Sequence, residues 1–193
     1  MQICKKRIVF VGRLVFNKGI QFIIECAPGV LKEHPDAKFI IIGTGPLESK
    51  IRKRASELHV LDSFEFLGNV PSVADIMREC DIFIRPSLTE ATSGGLAALE
   101  AMACGLPVVV TKIPGIDEVI INNETGILIE PGDPKQLTDA LLRLLDNCEL
   151  IKRIGNNARL FVEKRYSWDK TVELTLQLYR NVITMYNKKG LID

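Results

Sequence analysis

Two cations bracket a short segment near the start of the chain, Val11-Gly12-Arg13-Leu14-Val15-Phe16-Asn17-Lys18-Gly19. Arg13 offers a planar fork of donors and Lys18 a compact point charge, a pair suited to a diphosphate. Gly12 permits a sharp exit from a preceding strand, and Asn17 is placed to cap the next helix. A helix N-terminus adds its own favourable field for an anion. Two solvated loop cations are the plain alternative, and this loop alone weighs the two evenly.

A longer segment runs Arg85-Pro86-Ser87-Leu88-Thr89-Glu90-Ala91-Thr92-Ser93-Gly94-Gly95 and continues into Leu96-Ala97-Ala98-Leu99-Glu100-Ala101-Met102-Ala103. Gly94 and Gly95, at the start of an apolar helix, let a ligand approach free backbone N–H groups. The helix is apolar almost all round, which predicts burial and leaves Glu100 as a carboxylate needing a partner. Glu100 follows Ser93 by nearly two turns and leans back toward the helix entrance. A ribose beside a diphosphate would give it two hydroxyls; an ion pair with Lys112 is the competing reading. Two further loops are weaker signals. Gly43-Thr44-Gly45-Pro46 looks like a phosphate loop but lacks the third glycine of a dinucleotide fingerprint, and Asp62 does not end a second strand. Gly68-Asn69-Val70-Pro71-Ser72 could present backbone groups to the edge of a base.

The elements that position these loops follow from periodicity. Short β-branched runs alternate with longer helical patterns, the mark of a parallel sheet with helical crossovers. Strands are predicted at Arg7–Val11, Lys38–Ile42, Ser63–Leu67, Asp81–Arg85, Val108–Thr111 and Gly126–Ile129. Helices are predicted over Ile20–Leu31 (kinked or split by Pro28-Gly29), from Pro46 to Leu58, and from Pro134 through Leu145. Two more are predicted over Glu149–Arg165 and Ser167–Tyr186. The expected fold is a doubly wound, Rossmann-like α/β domain of about six strands closed by a helical C-terminus. If strand order begins 3-2-1-4, the order reverses between the first and fourth strands, and ligands bind outside that point.

Composition narrows the classes. The 193 residues suit one domain, and a hydrophobic fraction of 47% supplies its core. Lys+Arg 25 against Asp+Glu 24 gives a formal net charge of +1, no footprint for nucleic acid or an anionic membrane. The cluster Lys50-Ile51-Arg52-Lys53-Arg54 has no interleaved aromatics and reads as a solvated helix face. Five scattered cysteines and two histidines form no zinc-ligand spacing, which predicts reduced thiols, a cytoplasmic compartment and no metal site. No apolar run reaches the ~20 residues of a membrane span, and no leader pattern precedes the first strand.

Taken in order, these segments resemble the C-terminal domain of the large family 4 (group 1) of retaining glycosyltransferases, of GT-B architecture. The resemblance is carried by Val11-Gly12-Arg13-Leu14 with Lys18-Gly19, Ile42-Gly43-Thr44-Gly45-Pro46, and Phe66-Leu67-Gly68-Asn69-Val70. It continues through Cys80-Asp81-Ile82-Phe83-Ile84-Arg85-Pro86-Ser87, Leu99 to Val109, Gly126-Ile127-Leu128-Ile129 and Tyr166-Ser167-Trp168. It implies a donor domain for a UDP- or GDP-sugar with no further cofactor, filling residues 1–193, its N-terminal acceptor-binding domain absent. Arg13 and Lys18 would hold the diphosphate, Val70 would lie against the base, and Glu100 would bind the ribose. Glu90, Thr92, Ser93, Gly94, Gly95 and Leu96 would surround the donor sugar, with Gly12, Gly43 and Gly45 beside the phosphates. Whether Glu90 or Thr92 touches the sugar stays open, because counting from Pro86-Ser87 selects one and counting back from Glu100 the other. Two other readings are weighed: a non-catalytic subunit pairing with a separate acceptor-binding chain, and an NAD-binding domain. Gly-Arg-Leu in place of Gly-x-Gly disfavours the latter. For the complete enzyme a membrane-peripheral location is left open.

Overall fold

A computed structural model describes residues 4–89, 95–116 and 118–188, with side chains as far as residue 186. Six parallel strands form one sheet: β1 (Arg7–Val11), β2 (Lys38–Ile42), β3 (Phe64–Gly68), β4 (Ile82–Arg85), β5 (Val108–Thr111) and β6 (Gly126–Ile129). Their order is β3-β2-β1-β4-β5-β6, so the reversal lies between β1 and β4 as expected. Helices α1 (Ile20–Glu33), α2 (Glu48–Glu57), α3 (Val73–Arg78), α4 (Leu96–Ala103), α5 (Pro134–Leu145), α6 (Cys148–Arg165) and α7 (Trp168–Lys188) connect and follow them.

The two-residue period of each strand sends alternate side chains to opposite faces. Ile8, Phe10, Phe39, Ile41, Ile82 and Ile84 pack beneath α1 and α5 on one face. Val9, Ile40, Phe83, Val108 and Val110 pack beneath α3, α4 and part of α6 on the other. Burying each large side chain stabilises the fold by roughly 1.5–3 kcal/mol. Both faces being covered explains why β2 and β5 read as continuous apolar runs.

Several local expectations are corrected. Pro28 lies inside α1 without splitting it. Next to it, Gly29 has no room for a side chain: a Cβ there would stand 2.8 Å from Cγ2 of Thr138 on α5. Thr138 Oγ1 donates to the Pro134 carbonyl at 2.9 Å and lies 3.4 Å from the Cys26 carbonyl, so α5 packs against α1 beside Pro28. Gly19, with φ +75°, precedes α1 at the position assigned to Asn17, which instead lies in a 3-10 turn over Phe16–Lys18. The short helix α3 was not anticipated; Ser72 caps it by accepting from the Asp75 N–H at 3.4 Å. Cys4 and Cys148 form a disulfide across 144 residues, against the expectation of reduced thiols throughout, while Cys26, Cys80 and Cys104 are free. Burial raises the Cys26 thiol and pushes Cys80 up to about 11.

The basic cluster is a helix face, as read. Ile51 is buried while its four cationic neighbours are exposed. Arg52 bonds Glu48 at 2.9 Å and covers the Phe66 ring at 4.1 Å, and Arg54 bonds Glu25 at 2.8 Å. Among the described residues no helix is long and apolar enough to cross a membrane. The C-terminal helix departs most from expectation, because it does not close the domain: its apolar side chains are exposed.

Helix α6 lies so close to the α4–β5 turn that a Cβ on Gly155 would fall 2.1 Å from the Gly105 carbonyl oxygen. Alanine in a helix interior normally gains about 1 kcal/mol over glycine. Overpacking of this kind costs about 1–3 kcal/mol, and here the obstacle is backbone. Gly155→Ala is therefore expected to lower stability by up to about 2 kcal/mol, read as a lower urea midpoint at unchanged slope. A rise in the midpoint would show that α6 can move away freely.

Candidate functional site

The carboxyl ends of β1, β2, β3 and β4 share one edge of the sheet, and their loops interlock there by backbone contact. Gly12 N–H donates to the Ile42 carbonyl at 3.0 Å, Leu14 N–H to Thr44 at 2.9 Å, and Gly43 N–H to Gly68 at 2.7 Å. A Cβ on Gly43 would stand 2.1 Å from the Gly12 carbonyl oxygen, and one on Gly45 2.5 Å from that of Leu14. These glycines let three loops touch. The N–H groups of Gly12 and Gly43 are bonded to the carbonyls of Ile42 and Gly68.

The loops after β1 and β4 meet in the same manner across the reversal point. Leu88 N–H donates to the Asn17 carbonyl at 2.9 Å, and a Cβ on Gly19 would overlap the Pro86 carbonyl oxygen. Asn17 thus contributes through its backbone.

Between β1, β2 and β3 this edge opens a cavity of about 270 Å³, lined by Gly12, Arg13, Gly43, Thr44, Asn69, Val70 and Val73 among others. Four of the predicted residues, Gly12, Arg13, Gly43 and Val70, are brought together here. Arg13 is exposed at the rim. Lys18, half-buried, follows on the 3-10 turn of the same loop. The cavity offers an apolar wall in Val70 and Val73, side-chain-free walls at Gly12 and Gly43, and a cation at its mouth. Such a surface suits a flat heterocycle joined to an anion. A larger cavity, about 380 Å³, lies between α1 and α2 and is lined by Ile24, Leu47 and Ile51 with the paired Arg54 and Glu25. It is away from the β1–β4 reversal.

Glu100 corrects the sequence reading. It is exposed, as are Leu96 and Ala103, one turn to either side on α4, while Ala98, Ala101 and Met102 are buried. An exposed carboxylate requires no buried partner, and no described residue forms an ion pair with it. Lys112 is exposed as well. Glu90, Thr92, Ser93 and Gly94 lie outside the described residues; Gly95 immediately precedes α4.

Three contributors escaped the sequence reading. Thr44 and Val73 line the cavity, and the Ser72-x-x-Asp75 capping pattern could have placed Val73 at a helix start. Arg85 is 9% exposed at the carboxyl end of β4, its Nε 3.4 Å from Ser87 Oγ. A buried guanidinium ending an otherwise apolar strand was visible in Ile82-Phe83-Ile84-Arg85 but was read only as part of a motif.

The sequence profile of the family described as Glycosyl transferases group 1 matches residues 4–161. The chain belongs to that family. An uncharacterized glycosyltransferase of Methanocaldococcus jannaschii, MJ1607, is 33% identical over 186 residues, 95% of this chain and 47% of that protein. N-acetyl-alpha-D-glucosaminyl L-malate synthase of Bacillus anthracis is 32% identical over 93% of this chain and 46% of its own length. The chain spans about half the length of the curated relatives it matches. Among solved structures, S. aureus TarM in complex with fondaparinux, alpha-GlcNAc-glycerol and UDP superposes with a TM-score of 0.84 at 28% identity, over 92% of this chain and 36% of TarM. The C-terminal domain of the group 1 protein LpcC from Francisella tularensis superposes with a TM-score of 0.78 at 30% identity, over 86% of this chain and 88% of that one. The six-stranded sheet thus matches the C-terminal domains of GT-B glycosyltransferases.

The interlocked glycines make a checkable statement about this edge of the family fold. Gly43 combines φ +122° with a Cβ position 2.1 Å from backbone. Gly43→Ala is expected to cost about 3 kcal/mol, combining a strained backbone with overpacking. Urea unfolding measures it, and a loss under about 0.5 kcal/mol, the size of an ordinary surface substitution, would show that the loops are not locked together here.

Proposed function

We propose that this chain is the donor-binding half of a glycosyltransferase that takes a UDP- or GDP-sugar and transfers the sugar with retention. The observation that carries the reading is the cavity at the β1–β3 edge, with Val70 in its wall and Arg13 at its mouth, in a chain of this family. The UDP present in the TarM structure supports the ligand class. Retention and the acceptor half rest on the family resemblance and on the chain spanning half of its relatives.

On this reading Val70 lies against the base, and Glu100, exposed on α4, accepts from the ribose hydroxyls. Arg13 and Lys18 hold the diphosphate, and the segment from Glu90 through Thr92, Ser93, Gly94 and Gly95 to Leu96 surrounds the sugar, with Glu90 contacting it. During transfer the bond from the anomeric carbon to the diphosphate oxygen breaks, its electron pair leaving with the diphosphate. A new bond forms to an acceptor hydroxyl, whose proton passes to the departing phosphate or to solvent. Fixed positive charge at Arg13 and Lys18 stabilises the leaving group as its charge grows. The sequence has no Asp-x-Asp pair to clamp a metal on the diphosphate, so these side chains carry that role. The same ligand serves a second reading, a nucleotide-sugar-binding subunit that pairs with a separate acceptor-binding chain.

Calorimetry with UDP, GDP, ADP and NAD in excess chelator tests the ligand class. UDP or GDP is expected to bind without added metal. Preference for NAD, or binding that appears only with magnesium, overturns the reading.

A variant series tests the roles. At an effective dielectric near 20, a cation about 4 Å from a phosphate contributes up to roughly 4 kcal/mol before desolvation. Lys18→Ala should therefore weaken UDP or GDP far more than the matching nucleoside; equal losses would place Lys18 away from the phosphates. Glu90→Gln should reduce the preference for a sugar donor over its bare diphosphate, while Thr92→Val changes it little. The reverse pattern would assign the sugar contact to Thr92.

A further inference from the structure

The amino ends of β1, β4 and β5 share the edge of the sheet opposite the candidate site, and a third cavity opens there. It holds about 290 Å³, and Cys4, Lys5, Arg78, Glu79, Asp81 and Lys152 are among its lining residues. Cys4 lies three residues before β1 and is bridged to Cys148, the first residue of α6. Their Cα atoms stand 6.2 Å apart, within the usual span of a bridged pair.

The two sulfurs have different surroundings. Cys4 lines the cavity, and Cys148 is not among the lining residues. Cys148 instead opens a helix of 18 residues, whose N-cap Asn147 accepts from the Leu150 N–H at 2.9 Å. The free N–H groups of that first turn favour negative charge on Cys148. A thiolate arriving through the cavity therefore meets Cys4 Sγ, with the better stabilised leaving group behind it.

The other thiols of the chain are poorly placed to attack. Cys80 lines the same cavity, but it is buried and donates to the Ile76 carbonyl at 3.2 Å. Burial pushes its thiol up to about 11, and raises those of Cys26 and Cys104 as well. Thiolates are the nucleophiles of exchange, so the attacking group comes from solution. The cavity favours an anionic one. Lys5, Arg78 and Lys152 outnumber Glu79 and Asp81, and the Asp81 carboxylate already accepts from the Arg7 N–H at 2.9 Å.

We propose that Cys4 is a thiol-exchange site, at which a small carboxylate-bearing thiol opens the Cys4–Cys148 bridge and stays on Cys4 as a mixed disulfide. The incoming thiolate bonds to Cys4 Sγ as the bond to Cys148 breaks. The electron pair leaves with Cys148, which then takes a proton from water. A second thiolate of the same kind attacks the adduct, frees Cys4 and departs as the small disulfide, so two thiols are oxidised and the bridge is reduced. The bridge joins positions 144 residues apart, so exchange converts a cross-linked domain into an open one. Redox conditions thereby set the stability of the domain from the edge away from the candidate donor site.

Oxidised glutathione serves as the anionic probe and cystamine as the cationic one. Each is applied to the reduced 193-residue chain and to its Cys4→Ser and Cys148→Ser variants, with intact mass and peptide mapping as the readout. Cys148→Ser, lacking the second thiol, is expected to accumulate one glutathione on Cys4. In Cys4→Ser the adduct on Cys148 should form roughly tenfold more slowly. With each rate divided by that of the urea-unfolded chain, cystamine should modify Cys4 roughly fivefold more slowly than oxidised glutathione. Wild type should lose two thiols, retain no adduct and gain roughly 5–15 °C in thermal midpoint. Should a serine variant not fold, limiting reduced glutathione added to the oxidised wild-type chain and quenched in acid reports the same choice, with the adduct on Cys4 and Cys148 free. Wild type that loses no thiols on oxidation, an adduct forming faster on Cys148, Cys80 or Cys104 than on Cys4, or equal normalised rates for the two probes would each overturn the proposal.

Discussion

Steric exclusion at three glycines governs this domain. Gly43 against the Gly12 carbonyl, Gly45 against that of Leu14, and Gly19 against that of Pro86 leave no space for a Cβ. Because of these contacts the loops after β1, β2 and β4 form one assembly, in which moving any loop strains its neighbours. The cavity is the gap that assembly leaves above β1, β2 and β3, and Arg13 reaches its rim because Gly12 turns the chain sharply out of the strand. A close-packed backbone transmits such constraints more rigidly than side-chain hydrogen bonds, which can rearrange.

Much of this was legible in the amino-acid sequence. Apolar runs such as Phe39-Ile40-Ile41-Ile42 could only be strands covered on both faces, and the alternation with helical patterns dictated a parallel sheet. What escaped depended on tertiary contact. Pro28 was expected to kink or split α1; it lies inside one helix, where Thr138 of α5 packs against Gly29, and nothing local to Pro28 announces a residue 110 positions away. Glu100 was read as buried because its neighbours are apolar; which side of α4 meets the sheet is decided by packing, and that packing turns Leu96, Glu100 and Ala103 outward. The glycines of Gly43-Thr44-Gly45 were seen, but the contact each makes with the backbone of the β1 loop was not, because it depends on two distant loops meeting.

Charge has a narrower part in the fold than its abundance suggests. Most ion pairs, such as Arg52–Glu48, Arg78–Asp75 and Arg159–Glu163, are exposed and join neighbours on one helix. Pairs of this kind each contribute roughly 0.3–0.5 kcal/mol. The conspicuous exception in burial is Arg85, whose charge sits at the end of β4 beside the reversal point. Surface cations tie helix turns together, whereas Arg13 and Arg85 lie at the carboxyl ends of β1 and β4.

The strand order has a consequence for how the chain comes off a ribosome. β1 emerges first yet lies in the middle of the sheet, between β2 and β4. Its bond to the β4 side, from Arg7 N–H to the Asp81 carboxylate, spans 74 residues. At about 5–20 residues per second, that separation keeps one edge of β1 unpaired for roughly 4–15 s of synthesis. Once β3 has followed, β1 to β3 can pair into a sheet whose β1 side remains an open apolar edge. The last strands to appear, β4 to β6, convert that edge into an interior.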